Sequence, residues 1–316
     1  MPYTIVVGVN ESVPSSLAVR WSAARAAAMN GDAELILVHV LDAGSELPAS
    51  AAREVRREAS SVLKHAAQLA QQSRPNLTVR TDLRVGNVID ALLAAAVDAN
   101  LIVVGTHKTG FIRGRSMGTR SLRIAAAARV PVVVVPESSR GPRSGIVVGV
   151  EESDEGMIAL EFAANEAAST GQELTLIRAW DTPRRVGVDL EITVSDLESA
   201  YAADSKHALA GAVTVVHRRF PHLITRSRQV RRRAAEALLD AAASASLLVI
   251  GETRHASDQP SLGDVGHDVL INIVGPTVIV HSIPATVANS QSSHAIRPTT
   301  GAAFAGPAQS PQPDMT

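Results

Sequence analysis

The sequence predicts an α/β protein of two tandem, doubly wound, mostly parallel five-stranded sheets flanked by helices, and two observations predict it. The first is a repeat at domain spacing. Ile5-Val6-Val7-Gly8-Val9-Asn10-Glu11-Ser12 returns as Ile146-Val147-Val148-Gly149-Val150-Glu151-Glu152-Ser153, and Leu101-Ile102-Val103-Val104-Gly105 returns as Leu247-Leu248-Val249-Ile250-Gly251. Solenoid repeats run only about 20–50 residues, so a period this long is duplication of a whole fold. The second is that apolar runs of strand length alternate with Ala-rich helical segments, the pattern of a parallel sheet covered on both faces.

Each copy opens with a strand, Thr4–Val9 or Gly145–Val150. A turn rich in Ser, Glu and Pro leads to a long helix, Ser15–Asn30 or Glu155–Thr170, stopped by Gly31 or Gly171 as C-cap. A second strand follows at Glu34–Val40 or Glu173–Ala179, then a helix at Ala49–Gln72 or Val194–Arg219. The third strand, Leu77–Leu83 or Leu223–Gln229, alternates in polarity and belongs at a more exposed position. A helix through Ala91–Asp98 or Ala234–Ala243 feeds the continuous apolar fourth strand. The last strand, Val130–Val135 or Pro276–Val280, contains or begins at a Pro and suits a sheet edge. So apolar an edge invites pairing, and the expected partner is the last strand of the other copy.

Domain one therefore spans 1–137, a Gly/Pro linker 138–144 and domain two 145–284; the stretch 285–316, without periodicity, reads as a disordered tail. With 30 basic and 31 acidic residues and 3% aromatics, the chain has neither the charge nor the stacking surface of a nucleic-acid binder. No apolar run approaches a membrane span of about 20 residues, and no signal segment opens the chain. Zero cysteines exclude disulfides, thiol nucleophiles and thiolate metal sites. The expectation is a cytoplasmic protein.

In open α/β sheets, ligands sit beyond the carboxyl ends of the strands. Behind the fourth strand runs Gly105-Thr106-His107-Lys108-Thr109-Gly110-Phe111-Ile112-Arg113-Gly114-Arg115-Ser116-Met117-Gly118-Thr119-Arg120. Its glycines permit close backbone approach, and Thr119 opens a helix whose free N–H groups attract an anion. Lys108, Arg113, Arg115, Arg120 and Arg123 add positive charge, with no acid between Asp98 and Glu137. One such cation about 4 Å from a phosphate is worth roughly 4 kcal/mol at an effective dielectric of 20, before desolvation. The competing reading is a solvated Gly/Arg surface loop.

At these residues the chain resembles a tandem universal stress protein over 1–283. That family's nucleotide signature runs Gly-x2-Gly-x9-Gly-Ser/Thr after a strand like Leu101–Gly105. Gly105 matches the first glycine and Gly118-Thr119 the last pair, while Lys108 replaces the middle glycine. The resemblance implies a fold of the adenine nucleotide α-hydrolase, Rossmann-like type. It also implies an adenine nucleotide, ATP first, with Mg2+ only as the nucleotide's companion. Gly105 would then lie against ribose and phosphate, and Gly118 and Thr119 would hold phosphate oxygens. Lys108 would reach a phosphate in place of the lost glycine, and His107, Arg115 and Arg120 flank the same site. His39-Val40 falls where the family reads adenine through main-chain groups. At the end of the first strand, beside Gly8, Asn10 stands where the family usually has Asp; its amide still accepts one hydrogen bond.

The second copy departs further. Arg254 replaces the middle glycine, the spacing to Gly263 is one residue short, and Asp264 stands in place of Ser or Thr. A carboxylate there would cap the helix and repel phosphate, with Glu151 as a second negative charge nearby. The remaining features suggest no catalysis. The histidines lack metal spacing, Arg226, Arg228 and Arg231–Arg233 read as a solvated basic face, and no nucleophile–base–acid set is legible. The expectation is a non-catalytic nucleotide-binding stress protein that pairs its halves internally, with homodimerisation as a further possibility. The alternatives are an interaction scaffold of the same fold without nucleotide, and an α-hydrolase-type enzyme.

Overall fold

A computed structural model describes residues 2–28, 33–42, 49–107, 111–112, 115–116, 119–137, 142–181, 194–252 and 261–281. Gly31, Lys108, Gly110, Arg113, Gly114, Gly118, Arg254, linker residues 138–141 and the tail lie outside them.

The first half runs β1 (Tyr3–Gly8), α1 (Val13–Ala28), β2 (Ala33–Leu41), α2 (Ala49–Ser73), β3 (Thr78–Val85), α3 (Val88–Ala95), β4 (Leu101–Thr106), β5 (Phe111–Ile112), β6 (Arg115–Ser116), α4 (Thr119–Ala127) and β7 (Val132–Pro136). The second repeats it as β8 (Ile146–Gly149), α5 (Asp154–Thr170), β9 (Leu174–Trp180), α6 (Val194–Arg219), β10 (Thr225–Arg231), α7 (Ala234–Ala242), β11 (Leu247–Glu252), α8 (Asp264–Ile271) and β12 (Thr277–His281). The pair β5–β6, antiparallel with Phe111 opposite Ser116, lies in a segment that the sequence reading left without secondary structure.

Helix boundaries follow local chemistry. The Ser153 side chain accepts from the Gly156 N–H at 3.0 Å, and Asp154 and Glu155 meet the positive end of α5. Gly171 ends α5 at φ 63°, a left-handed conformation that favours glycine, and its N–H bonds to Ala167 and Ala168. In the first half Ser12 Oγ accepts from the Ser15 N–H at 3.3 Å, and Pro14 fits the first turn, where an N–H is not needed.

Among the described residues, all strands but β5 and β6 form one ten-stranded sheet, ordered β10-β9-β8-β11-β12-β7-β4-β1-β2-β3. Each five-strand half is parallel, and the halves meet antiparallel between β7 and β12, with Val133 opposite Val278. Side chains alternate across the sheet. Ile5, Val7 and Val103 join α1, α2 and their second-half counterparts α5 and α6 in one core layer; Val6, Ile102 and Val104 join α3, α4, α7 and α8 in the other. The outer edges are β3 and β10, whose Arg, Thr, Asp, Ser and Gln side chains suit exposure and deter edge pairing.

Among the described residues, polar side-chain contacts also cross between the halves. His281 on β12 lies 2.7 Å from the Ala125 carbonyl of α4. Arg25 on α1 forks onto Glu166 on α5, with Nε at 3.0 and 2.9 Å from the two carboxylate oxygens and Nη2 at 2.6 Å. Both side chains are buried, and the guanidinium lies 4.9 Å from the Tyr3 ring centroid and 5.9 Å from that of Phe162. Burial alone would lower the Arg25 pKa; the charge of Glu166, and then Tyr3, more than reverse this and leave it above its ordinary value. Tyr3 is raised by its own burial, against the lowering pull of Arg25.

Candidate functional site

The order of strands in the first half places its crevice where β1 and β4 run side by side and their following helices leave on opposite faces. Gly8 pairs with Val104 on one side and Val38 on the other, so the residues just beyond converge. These are Asn10 after β1, His39 and Val40 at the end of β2, and Thr106 and His107 at the end of β4. Asn10 and His107 are exposed, as is Arg120 in the first turn of α4. Arg115 lies in β6 and Thr119 opens α4; Lys108 and Gly118 lie outside the described residues.

Of the described glycines of the set, Gly105 is required by packing. A Cβ at Gly105 would stand 2.3 Å from the Pro14 carbonyl carbon and 2.6 Å from the Ser15 nitrogen, so only glycine lets α1 begin directly against β4. Gly251 meets the Glu155 carbonyl oxygen in the same way, at 2.6 Å. Gly8 faces Leu92 of α3 as Gly149 faces Leu238 of α7. Because both halves keep these glycines, their presence does not by itself signal a ligand.

Asn10 is anchored locally. Its Oδ1 accepts from the Ser12 N–H at 2.9 Å and the Ser12 hydroxyl at 2.6 Å, while its own N–H donates to Ser15 Oγ at 2.9 Å. Its amide oxygen thus holds the turn into α1, a job that an Asp carboxylate would do equally well. His39 Nδ1 lies 2.8 Å from the Val9 carbonyl, which ties the ends of β1 and β2 together. Beside them a cleft of about 400 Å3 opens between α1 and α2, lined by Asn10, Glu11, Ser15, Glu58, Ser61 and His65.

The halves differ most at the start of α4 and of α8. In the first half Thr106 Oγ1 is buried, donates to the His107 carbonyl at 2.9 Å and accepts from Ser121 Oγ at 3.2 Å. Neutral hydroxyls therefore back the helix start. In the second half the position of Thr106 is held by Glu252, buried, whose carboxylate accepts a hydrogen bond from the Gly263 N–H. A Cβ at Gly266 would come 2.3 Å from its other oxygen. Sequence reasoning assigned the blocking charge to Asp264, but Asp264 is exposed, and the carboxylate that fills the helix start is Glu252 from the preceding strand. The signal was the Gly251-Glu252 pair, in register with Gly105-Thr106.

Glu137 was also missed at this site. It follows β7, the parallel neighbour of β4, and its carboxylate lies 3.2 Å from His107 Nδ1. Elsewhere the basic face on and after β10 is largely neutralised: Arg226 pairs with Glu173, Arg231 with Glu198 and Arg232 with Asp240, and Arg231 also stacks 5.4 Å from the Trp180 centroid. Among the described residues no three His, Asp or Glu side chains gather as a metal site, and no helix is long and apolar enough to cross a membrane.

Comparison with known proteins agrees with this architecture. The profile of the Universal stress protein family matches residues 1–136 and again 143–281. A universal stress protein of Mycolicibacterium smegmatis is 28% identical over 302 residues, covering 88% of this chain and 97% of that protein. One from Mycobacterium tuberculosis is 28% identical over 310 residues, covering 89% and 95%. In fold, the crystal structure of a universal stress protein from Archaeoglobus fulgidus superposes with a TM-score of 0.67 at 14% identity, over 89% of this chain and 99% of that one.

Proposed function

Because this chain belongs to the universal stress protein family, we propose that its first half binds one adenine nucleotide, with ATP as the first candidate. We further propose that the chain acts as a non-catalytic regulator in the cytoplasmic stress response. The observation that carries this reading is the contrast between the two helix starts. Hydroxyls of Thr106 and Ser121 back the start of α4, whereas the Glu252 carboxylate fills the start of α8. An anion is drawn to free N–H groups at a helix start and repelled by a buried carboxylate in the same place, so the donor set fits a phosphate in the first half alone.

In this reading Gly118 and Thr119 hold phosphate oxygens and Gly105 lies against the ribose. Lys108, Arg115 and Arg120 supply positive charge, and His107 flanks the phosphates. Asn10 and Gly8 form the floor, and the main chain at Val40 reads the base. Mg2+ enters only with the nucleotide. The pairing of β7 with β12 uses both inner edges, so any association of two chains would employ other surfaces.

Titration calorimetry with ATP, ADP and cyclic AMP tests the reading. The expected result is one site per chain, lost in Gly118→Trp while circular dichroism stays unchanged. No heat, together with no melting shift at millimolar ATP, would leave an interaction scaffold without nucleotide. One observation favours a second reading, a slow hydrolase: Glu137 lies against the His107 imidazole and could orient it as a general base. ATP turnover that disappears in His107→Ala would establish it.

A further inference from the structure

Arg25 and Glu166 are the same position of the duplicated fold. They are 141 residues apart, the separation that also relates Gly8 to Gly149 and Ser12 to Ser153. The neighbouring residues match in burial: Ala18 with Ala159, Ala23 with Ala164 and Ala26 with Ala167. Val133 and Val278, also equivalent, face each other across β7 and β12. A local twofold axis therefore relates the halves and brings equivalent positions together. At such an axis Val against Val is self-complementary, and a half could accept a copy of itself there as readily as its partner. Arg against Glu is not: self-pairing would bury Arg25 against a second Arg25, or Glu166 against a second Glu166.

We propose that the Arg25–Glu166 pair is a pairing-specificity device, making the first half of this fold select a second half and reject both another first half and a second half paired with its own kind. The proposal does not depend on any ligand. Burial gives the pair this power. Both side chains are almost fully shielded, and a buried charge left with a like charge weakens association by roughly a hundredfold or more. Exposed ion pairs such as Arg57–Glu54 carry no comparable discrimination. The guanidinium is also flanked by Tyr3 from its own half and Phe162 from the other, so the pocket is built for a planar cation.

The test uses full-length chains with the 138–141 linker lengthened by about ten Gly and Ser residues, so that halves can exchange between chains. Arg25→Glu alone and Glu166→Arg alone each place like charges together within one chain. If the two variants are unfolded, mixed and refolded, exchange restores one opposite pair at both interfaces. At about 100 µM, against a millimolar intrachain effective concentration, the mixture should become chiefly a dimer of twice the chain mass by light scattering. Each variant refolded alone should not, and the doubly swapped chain should stay monomeric and melt close to the unsubstituted protein. The proposal is overturned if the mixture shows no more dimer than the separate variants. It is equally overturned if the swapped chain dimerises as the single variants do. A variant that fails to refold alone but refolds in the mixture supports it.

Discussion

The carboxylate of Glu252 occupies in the second half the place that the Thr106 hydroxyl holds in the first. Both residues end the fourth strand of their repeat, both are buried, and both address the helix that follows. One duplication has thus yielded a helix start backed by neutral hydroxyls and another closed by the protein's own anion.

Removing that anion is predicted to reopen the second helix start. Glu252→Thr should lose about 1–3 kcal/mol, since the Gly263 N–H forfeits a charged acceptor. It should also gain a response to phosphate. Melting in phosphate against chloride reads it, with a rise in the variant that the parent lacks.

The glycines behind the two crevices are predicted to matter equally for folding. Gly105→Ala forces a Cβ onto the Pro14 backbone and Gly251→Ala one onto the Glu155 backbone, each at under 3 Å. Each should cost about 1–3 kcal/mol in urea denaturation, as overpacking does. A loss confined to the first half would show that packing is not the reason for the glycine.

The buried ion pair predicts a non-additive cycle. Arg25→Leu strands the Glu166 carboxylate and should cost about 3–5 kcal/mol, whereas Arg25→Leu with Glu166→Leu should lie near the parent. Chemical denaturation of the four proteins measures it.

Tyr3 predicts a pH effect with a definite sign. Burial raises its folded pKa above the ordinary value of 10.0, so the unfolded chain releases the proton first. Its contribution is fully present below pH 10 and is lost as pH rises through the folded value, by at most about 1.4 kcal/mol per unit. Urea midpoints at alkaline pH should fall more steeply in the parent than in Tyr3→Phe.

Much of this fold is legible in the sequence because its signals are local. The repeated β1 and β8 runs, the Gly171 cap and the full extent of α6 follow from periodicity and turn chemistry. So does the polar alternation that sends β3 and β10 to the edges. What was not legible depends on contacts distant in sequence. Arg25 and Glu166 are 141 positions apart, and only the folded sheet brings them to one axis. Glu137 reads as the end of a domain, and only the β4–β7 pairing carries it to His107. Glu252 follows Gly251 in sequence, and only the fold brings its buried carboxylate to the Gly263 N–H at the start of α8. The short β5–β6 pairing was missed because two-residue strands leave no periodic trace.

The proposed function gives the first half an adenine nucleotide and the second half none. The most direct measurement is mass spectrometry of small molecules released on denaturing the full-length protein purified from its native host. One adenine nucleotide per chain is expected, absent from Gly118→Trp and present in Arg254→Ala. Two nucleotides per chain, or one that survives Gly118→Trp, would contradict it, as would none released together with no binding of added ATP at millimolar concentration.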